Sequence, residues 1–512
     1  MQRTKRSFIN VTTTVITNFI ILFTAFAVQR VLVHTMGGDY NGLNGLFSSI
    51  ISMMSLADLG IGTAIIYHMY RPVAEEDHER INSLLHFYKK CYMVISGIIL
   101  LIGIVVSFFL PALVGDAEIH DSIYLIFALF LIDCLCSYFL AYKKSLLYAS
   151  QMNYVADLIY FAVYVVQNAA QIFVLLAFQD FILFLIVKSL GKCISNLVLS
   201  VYIGRKFPYT RAKQVKPVEK ETKQDIYLKV RGLLYHKVGK LLVTGSDSIV
   251  LTGVLGIATM NLYANYHLII GGIAGLLYRI FETLTNSVGN FLLDSDQDRR
   301  LDVYKKIDFI NFWFFGCVAA GIYAVIQPLI LLWMGENFLF AKTVVFVLVI
   351  NFYLDGMRAS VTTFKEAAGI FHEDRHIPVI EALLNLFISI ILAKFIGVSG
   401  VFLGTILSTG VVYLYSYPKY VCRPLFRMSY GKYVGQTFRH LALLFVILGL
   451  TEVAVRPMEG WNPWLRIFTA GTASVIIFHA IFLLLYGRSA EMRFYINFLR
   501  NKLHKSQTTS DC

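Results

Sequence analysis

Residues 43–67, LNGLFSSIISMMSLADLGIGTAIIY, form an apolar stretch of transmembrane length with one charged residue, Asp58. A helix needs about 20 mainly apolar residues to cross a bilayer, and roughly fourteen such stretches follow one another along the chain. The composition agrees, because 57% of the 512 residues are hydrophobic, 15% are charged and the mean hydropathy is +0.65. We therefore predict an all-α polytopic membrane protein with about 14 transmembrane helices.

The same composition excludes several other classes of protein. A set of soluble domains, a disordered chain and a secreted disulfide scaffold each need a more polar or more cysteine-rich sequence. Long apolar runs also argue against a transmembrane β-barrel, whose strands are short and alternating. The seven cysteines lack metal-ligand spacing, and no nucleotide-binding or serine-hydrolase motif is present. We expect no metal, no cofactor and no enzymatic activity.

The net charge of +13 comes from 45 Lys and Arg against 32 Asp and Glu. Roughly 35 of these cations fall in the two termini and the even-numbered connections, about 4 in the odd-numbered connections and about 6 inside spans. Cytoplasmic loops collect Lys and Arg, so both termini are predicted to be cytoplasmic. This distribution accounts for the excess of cations without nucleic acid as a partner.

The chain is predicted to contain a repeat of six helices. Asp133 in the fourth span is followed ten residues later by Lys143, and Asp355 in the tenth span is followed at the same distance by Lys365. Two bundles around a central cavity suit alternating access, because the substrate site must open to each side in turn. The predicted parts are an N-terminal six-helix lobe (1–204), a cytoplasmic linker (205–231), a C-terminal six-helix lobe (232–422), two additional helices (423–487) and a cytoplasmic tail (488–512).

Polar residues recur at helical spacing in the first two spans of each predicted lobe. Ionisable groups are costly in a bilayer, so such stripes are expected to face a water-filled cavity or a partner. The predicted cavity-lining or ion-coupling residues are Asn18, Asn44, Asp58, His236, Asp247, Glu282 and Asn286. Two roles explain Asp58 and Asp247 about equally well. One is coupling of transport to H⁺ or Na⁺, and the other is a buried ion pair with a cation.

Cations outnumber acids on these faces. A surplus of positive charge favours an anionic ligand such as pyrophosphate. The predicted substrate-binding residues are therefore Arg30, Lys237, Lys240 and Arg279. The alternative is that they form structural ion pairs, such as Lys240 with Asp247 or Arg279 with Glu282. The sequence leaves open whether Lys188 and Lys192 face the cavity.

Several motifs resemble bacterial polysaccharide-export flippases. They are Gly42-Leu43-Asn44-Gly45-Leu46, Ser55-Leu56-Ala57-Asp58-Leu59-Gly60-Ile61-Gly62, Lys237-Val238-Gly239-Lys240 with Ser246-Asp247, Leu262-Tyr263-Ala264-Asn265-Tyr266, Leu332-Trp333-Met334-Gly335-Glu336, Phe371-His372-Glu373-Asp374-Arg375 and Gly400-Val401-Phe402-Leu403-Gly404-Thr405. The family comprises the Wzx-type flippases for O-antigen, capsule and exopolysaccharide repeat units, within the multidrug, oligosaccharidyl-lipid and polysaccharide flippase superfamily. The resemblance covers about the first 420 residues.

The resemblance implies a MATE-like fold of two six-helix bundles with two extra C-terminal helices in the bacterial cell membrane. It also implies transfer of undecaprenyl-pyrophosphate-linked oligosaccharide from the inner to the outer leaflet, with a polysaccharide polymerase as an expected partner. A lipid II flippase and a multidrug antiporter of the same superfamily remain alternatives. A membrane polysaccharide polymerase or glycosyltransferase is disfavoured because the predicted external connections are short.

Overall fold

The computed structural model describes residues 2–55, 61–115, 117, 119–212, 215–293, 295–370 and 373–508. Within these ranges, some residues are described by their backbone alone, without their side chains. They are residues 2–16, 18, 63–64, 229, 231–244, 286, 290, 293, 499 and 501–508. In the described ranges the chain is helical and contains no β-strand.

The first half of the chain forms helices α1 (Gln2–Met36), α2 (Gly38–Met54), α3 (Ile61–Ala74), α4 (His78–Ser107), α5 (Leu110–Val114), α6 (Ile123–Tyr138), α7 (Lys144–Ala149), α8 (Asn153–Ala177), α9 (Phe181–Lys206) and α10 (Lys220–Leu255). The second half forms α11 (Ile257–Leu293), α12 (Gln297–Trp333), α13 (Lys342–Ala367), α14 (Ile377–Ile396), α15 (Val398–Val411), α16 (Arg423–Phe426), α17 (Tyr430–Val455), α18 (Pro463–Tyr486) and α19 (Ala490–Thr508). A π-helical segment, Val412–Cys422, joins α15 to α16.

Twelve helices in the described ranges are long and apolar enough to cross a membrane. They include α4, the α6–α7 pair, and the long helices α11 and α12. The predicted second span (43–67) falls on α2 and α3, with residues 56–60 outside the description. The predicted seventh span lies on α10, whose shorter apolar stretch is Gly245–Leu255. The chain is a multi-pass, all-helical membrane protein, as the sequence predicts.

Contacts divide the chain into two compact units. Unit 1 comprises residues 1–268 and 378–401, and unit 2 comprises residues 269–377 and 402–512. One boundary falls inside α11, and the others fall near the two ends of α14. Such a division describes packing and does not test the internal repeat, so the predicted lobes at 1–204 and 232–422 remain a prediction.

In unit 1, α1 packs against α2 and α8, and α9 packs against α6 and α8. Helix α10 packs against α2 and α3. In unit 2, α12 packs against α13, α17 and α18. The two predicted additional helices, α17 and α18, therefore belong to the same compact unit as α12 and α13.

Two glycines allow aromatic rings to pack closely in unit 2. A Cβ atom on Gly356 of α13 would lie 2.0 Å from Cδ1 of Phe315 on α12, and one on Gly316 would lie 2.8 Å from Cε2 of Phe478 on α18. Phe315 and Phe478 are fully buried, so their rings have little room to move. Close packing of α12 with α13 and α18 thus depends on the absence of a side chain at Gly356 and at Gly316.

We predict that Gly356→Ala destabilises the protein by about 1–3 kcal/mol, because the added methyl group overpacks the contact with Phe315. Gly321→Ala on α12 is the matched control, since no atom lies within 4 Å of its added Cβ. Unfolding of the purified protein in detergent measures both variants. Equal stability of the two would contradict the close α12–α13 contact.

Candidate functional site

The site begins with a glycine face on α2. Gly38, Gly42 and Gly45 follow one another at helical spacing, so they share one side of the helix. A Cβ atom on Gly42 would lie 2.5 Å from the backbone oxygen of Ile257, and one on Gly45 would lie 2.7 Å from Cε of Met260. The small residues therefore let α2 approach the first turns of α11 closely, as glycines do between membrane helices.

Amide side chains pair across this approach. Asn41 Nδ2 donates to Asn261 Oδ1 at 2.8 Å and to the Asn261 backbone oxygen at 3.3 Å. Gln29 Nε2 on α1 donates to Asn265 Oδ1 at 2.7 Å, and Asn265 Nδ2 donates to the Asn261 backbone oxygen at 3.0 Å. Four amide side chains thus connect α1, α2 and α11. Their pairing matters because an unpaired polar group between membrane helices raises the free energy of the folded state.

A cavity of about 320 Å³ lies beside this network in unit 1. Its walls come from α1, α2, α10 and the first part of α11. The lining residues are Gln29, Asn41, Asn44, Gly45, Ser48, Ser49, Ser52, Met53, Gly245, Ser248, Met260, Ala264, His267 and Leu268. Ser49 Oγ on α2 donates to Ser248 Oγ on α10 at 2.9 Å, so a hydroxyl pair ties two of the walls together.

Half of the fourteen described lining residues carry a neutral amide or hydroxyl group. Amides and hydroxyls supply both donors and acceptors, and no carboxylate is among the lining side chains that the structure describes. Asn41 is fully buried, and its Oδ1 has no hydrogen-bond partner among the described residues. His267 is the ionisable residue in this described wall, and its Nδ1 lies 3.2 Å from the Tyr263 hydroxyl. Such a wall suits a ligand rich in hydroxyl groups.

Two of the predicted cavity residues fall at or near the wall. Asn44 lines the cavity directly. Asp247 is buried between Ser246, which donates to Asn385 Oδ1 at 2.7 Å, and Ser248 of the cavity wall. It is engaged in interactions of its own and is not among the lining residues.

The predicted cationic site is only partly within the described side chains. Arg30 is exposed and follows Gln29 of the wall, while Arg279 and Glu282 are exposed residues of unit 2. The side chains of Asn18, His236, Lys237, Lys240 and Asn286, and the whole of Asp58, lie outside the described residues. Convergence of Arg30, Lys237, Lys240 and Arg279 on one ligand therefore remains a prediction.

Lys188 and Lys192 on α9 contact aromatic rings. Lys188 Nζ lies 4.5 Å from the ring centroid of Phe130 on α6, and Lys192 Nζ lies 5.4 Å from that of Tyr160 on α8. Neither lysine is among the residues that line the cavity. Both have cation–π partners within the α6–α8–α9 packing, and this accounts for two cations whose orientation the sequence left open.

Sequence reasoning missed Asn41, Ser49 and His267 as residues of one wall. The glycine spacing at 38, 42 and 45 was the available signal, because it marks the α2 face that approaches another helix. Nothing in the periodicity of α11 distinguishes His267, which is one turn beyond Tyr263.

The sequence matches no family model and no curated protein. Among solved structures, the chain is similar to "Lipid II flippase MurJ, inward closed conformation", with a TM-score of 0.62 and 14% identity over 94% of this chain and 99% of that one. It is also similar to an inward-facing multidrug resistance MATE family transporter of the MOP superfamily, with a TM-score of 0.55 and 12% identity over 77% of this chain and 94% of that one. The predicted MATE-like fold is confirmed.

We predict that Ser49→Cys combined with Ser248→Cys forms a disulfide bond between α2 and α10 in a background without native cysteines. The two hydroxyl oxygens are 2.9 Å apart, so the side chains at these positions meet, as a disulfide requires. A gel-mobility shift on oxidation, reversed by reductant, measures the bond. The single variants are the controls, and a folded double variant that stays reduced under oxidant would contradict this wall of the cavity.

Proposed function

We propose that the chain is an alternating-access transporter that moves undecaprenyl-pyrophosphate-linked oligosaccharide from the cytoplasmic to the outer leaflet for cell-surface polysaccharide synthesis. The observation that carries the proposal is the wall of the unit 1 cavity, where amides, hydroxyls and one imidazole lie among apolar side chains. Sugars present many hydroxyl groups, each of which is both a donor and an acceptor. Such a wall can exchange hydrogen bonds with a glycan without burying an unpaired charge.

The fold supports transport by alternating access. The two solved structures with a similar fold are a lipid II flippase and a multidrug resistance transporter. By likeness of fold and of sequence motifs, we assign the chain to the same superfamily of multidrug, oligosaccharidyl-lipid and polysaccharide flippases. The motif resemblance favours the Wzx-type members, whose expected partner is a polysaccharide polymerase.

The pyrophosphate requires positive charge, and the described residues that line the unit 1 cavity include no Lys or Arg. We assign this role to Arg30, Lys237, Lys240 and Arg279. Guanidinium and ammonium groups make charge-assisted hydrogen bonds to phosphate oxygens that are about twice as strong as neutral ones. The glycan then occupies the neutral wall while the polyprenyl chain stays in lipid. Asp58 or Asp247 would bind the coupling ion, H⁺ or Na⁺.

A lipid II flippase is the second candidate, because the MurJ structure has the same fold along nearly its whole length. Its substrate also carries a pyrophosphate and sugars, so the chemical requirements overlap. A multidrug antiporter fits less well, since cationic drugs favour carboxylates and the described lining residues include none. Complementation of cells that lack one flippase or the other separates the first two candidates.

We predict that Lys240→Gln combined with Arg279→Gln lowers export of lipid-linked oligosaccharide at least about tenfold, because two charge-assisted contacts to pyrophosphate are lost. Surface polysaccharide in a cell without its own flippases measures export, with membrane protein levels as a reference. Arg71→Gln combined with Lys216→Gln is the charge-matched control, since both cations are exposed and pair with Glu75 and Glu79. Unchanged export by the test variant would overturn the anion site.

We predict that Ser48→Trp abolishes export while the protein accumulates normally. Ser48 is exposed to the cavity, so an indole at this position occupies space that the glycan needs without displacing buried atoms. Gly97→Trp on α4 is the matched control, because no atom lies near its added Cβ and the residue is exposed. Export by Ser48→Trp at the level of this control would exclude the cavity from the transport path.

A further inference from the structure

Unit 2 contains a buried carboxylate at the point where α12, α13 and α17 meet. Asp308 on α12 is 5% exposed. Its Oδ1 accepts a hydrogen bond from Ser360 Oγ of α13 at 2.8 Å, and its Oδ2 accepts one from Gln436 Nε2 of α17 at 2.6 Å. Two neutral donors from different helices therefore orient this carboxylate, but they do not neutralise its charge.

His440 supplies the partner that can do so. Its Nδ1 lies 3.9 Å from Asp308 Oδ2, and its ring stacks on Phe312 with 4.5 Å between centroids. The histidine is also 5% exposed. Among the described residues it is the ion-pair partner of Asp308, and the neighbouring cation Arg439 is exposed, with its guanidinium 6.0 Å from the Tyr486 ring centroid.

A small cavity adjoins this pair. Its volume of about 20 Å³ is enough for one water molecule, and Asp308, His440, Tyr353 and Gln436 are among its lining residues. Tyr353 is 1% exposed, and its hydroxyl has no hydrogen-bond partner among the described residues. A buried hydroxyl without a partner is costly, so this one marks a place where a water or an exchanging proton can be held.

Charge balance determines how many protons the pair holds. With one proton, the pair is neutral overall, either as carboxylate with imidazolium or as carboxylic acid with imidazole. With none it carries a buried negative charge, and with two a buried positive charge, both of which burial disfavours. The packed arrangement of α12, α13 and α17 therefore favours one shared proton.

We propose that Asp308 and His440 form a proton-binding site that links protonation to the packing of α17 against α12 and α13. The proton stays on the pair while the helices are packed, and it is released when water reaches the pair. The site uses none of the residues assigned to the substrate, and neither Asp58 nor Asp247 belongs to it. It gives the C-terminal helices, which lie outside the predicted repeat, a proton-dependent role.

Other titratable groups face the same region. They are Tyr304 on α12, Tyr353 on α13, Tyr413 and Cys422 in the π-helical segment, Tyr433 and Arg439 on α17, and Tyr486 on α18. Among the described residues that line its cavity, Asp308 is the one carboxylate; Asp355 acts on Tyr413, and Glu491 acts on Tyr486. A bound metal cation would need more ligands, and the described residues hold no group of three His, Cys, Asp or Glu side chains suited to one. The chemistry therefore favours a proton over a cation.

Infrared difference spectroscopy of the full-length protein in lipid nanodiscs tests the site. Across a pH titration in which the shared proton is lost, the native protein should show a carboxyl band and an imidazole band that change together. Asp308→Asn should lose both changes, and His440→Gln should lose the imidazole change and alter the carboxyl band. Asp302→Asn is the matched control, because this exposed carboxylate on α12 pairs with Lys306.

Three outcomes would overturn the proposal. The carboxyl band could persist in Asp308→Asn, it could remain unaltered in His440→Gln, or it could respond to Na⁺ at constant pH. Tyr353→Phe keeps the test valid if the other variants fold poorly, because it removes a hydroxyl that makes no hydrogen bond to a described residue. It should fold normally and shift the position of the carboxyl band, and an unshifted band would also count against the site.

Discussion

The glycine face of α2 is the constraint on which the unit 1 cavity depends. Without side chains at 38, 42 and 45, α2 and α11 approach so closely that their amides reach one another. In a bilayer these amides have no water to bond with, so pairing of Asn41 with Asn261 and of Gln29 with Asn265 fixes the relative positions of three helices. Gln29 and Asn41 of this contact also line the cavity, so the contact forms part of its wall.

In the proposed function, the neutral wall and the assigned cations recognise two different parts of a lipid-linked oligosaccharide. Amides and hydroxyls of α1, α2 and α10 offer many hydrogen bonds of modest strength, which suits a glycan whose composition differs between species. The proposed cations address the one feature that all such substrates share, the pyrophosphate. Lys188 and Lys192 illustrate why positive charge alone is a poor guide, because aromatic rings of neighbouring helices account for both.

The sequence predicted the class of fold well, because a run of about 20 apolar residues has few alternatives to a membrane helix. It also predicted polar residues on one face of the second span, and Asn44 of that set lines the cavity. It gave less information about contacts between distant segments, such as Ser246 with Asn385 of α14, since helical periodicity defines a face but not its partner. His267, Asp308 and His440 were missed for the same reason. Each of the three belongs to a site whose other residues are far away in the sequence.

Transport by the purified protein in liposomes tests the proposed function most directly. The measurement compares the rate at which undecaprenyl-pyrophosphate-linked oligosaccharide crosses the bilayer with the rates for undecaprenyl pyrophosphate without sugar and for a lipophilic cationic drug. We expect rapid transfer of the glycosylated lipid and a clear loss of rate without the glycan, because the neutral wall then has no ligand. Transfer of the cationic drug with no transfer of the glycosylated lipid would contradict the proposal.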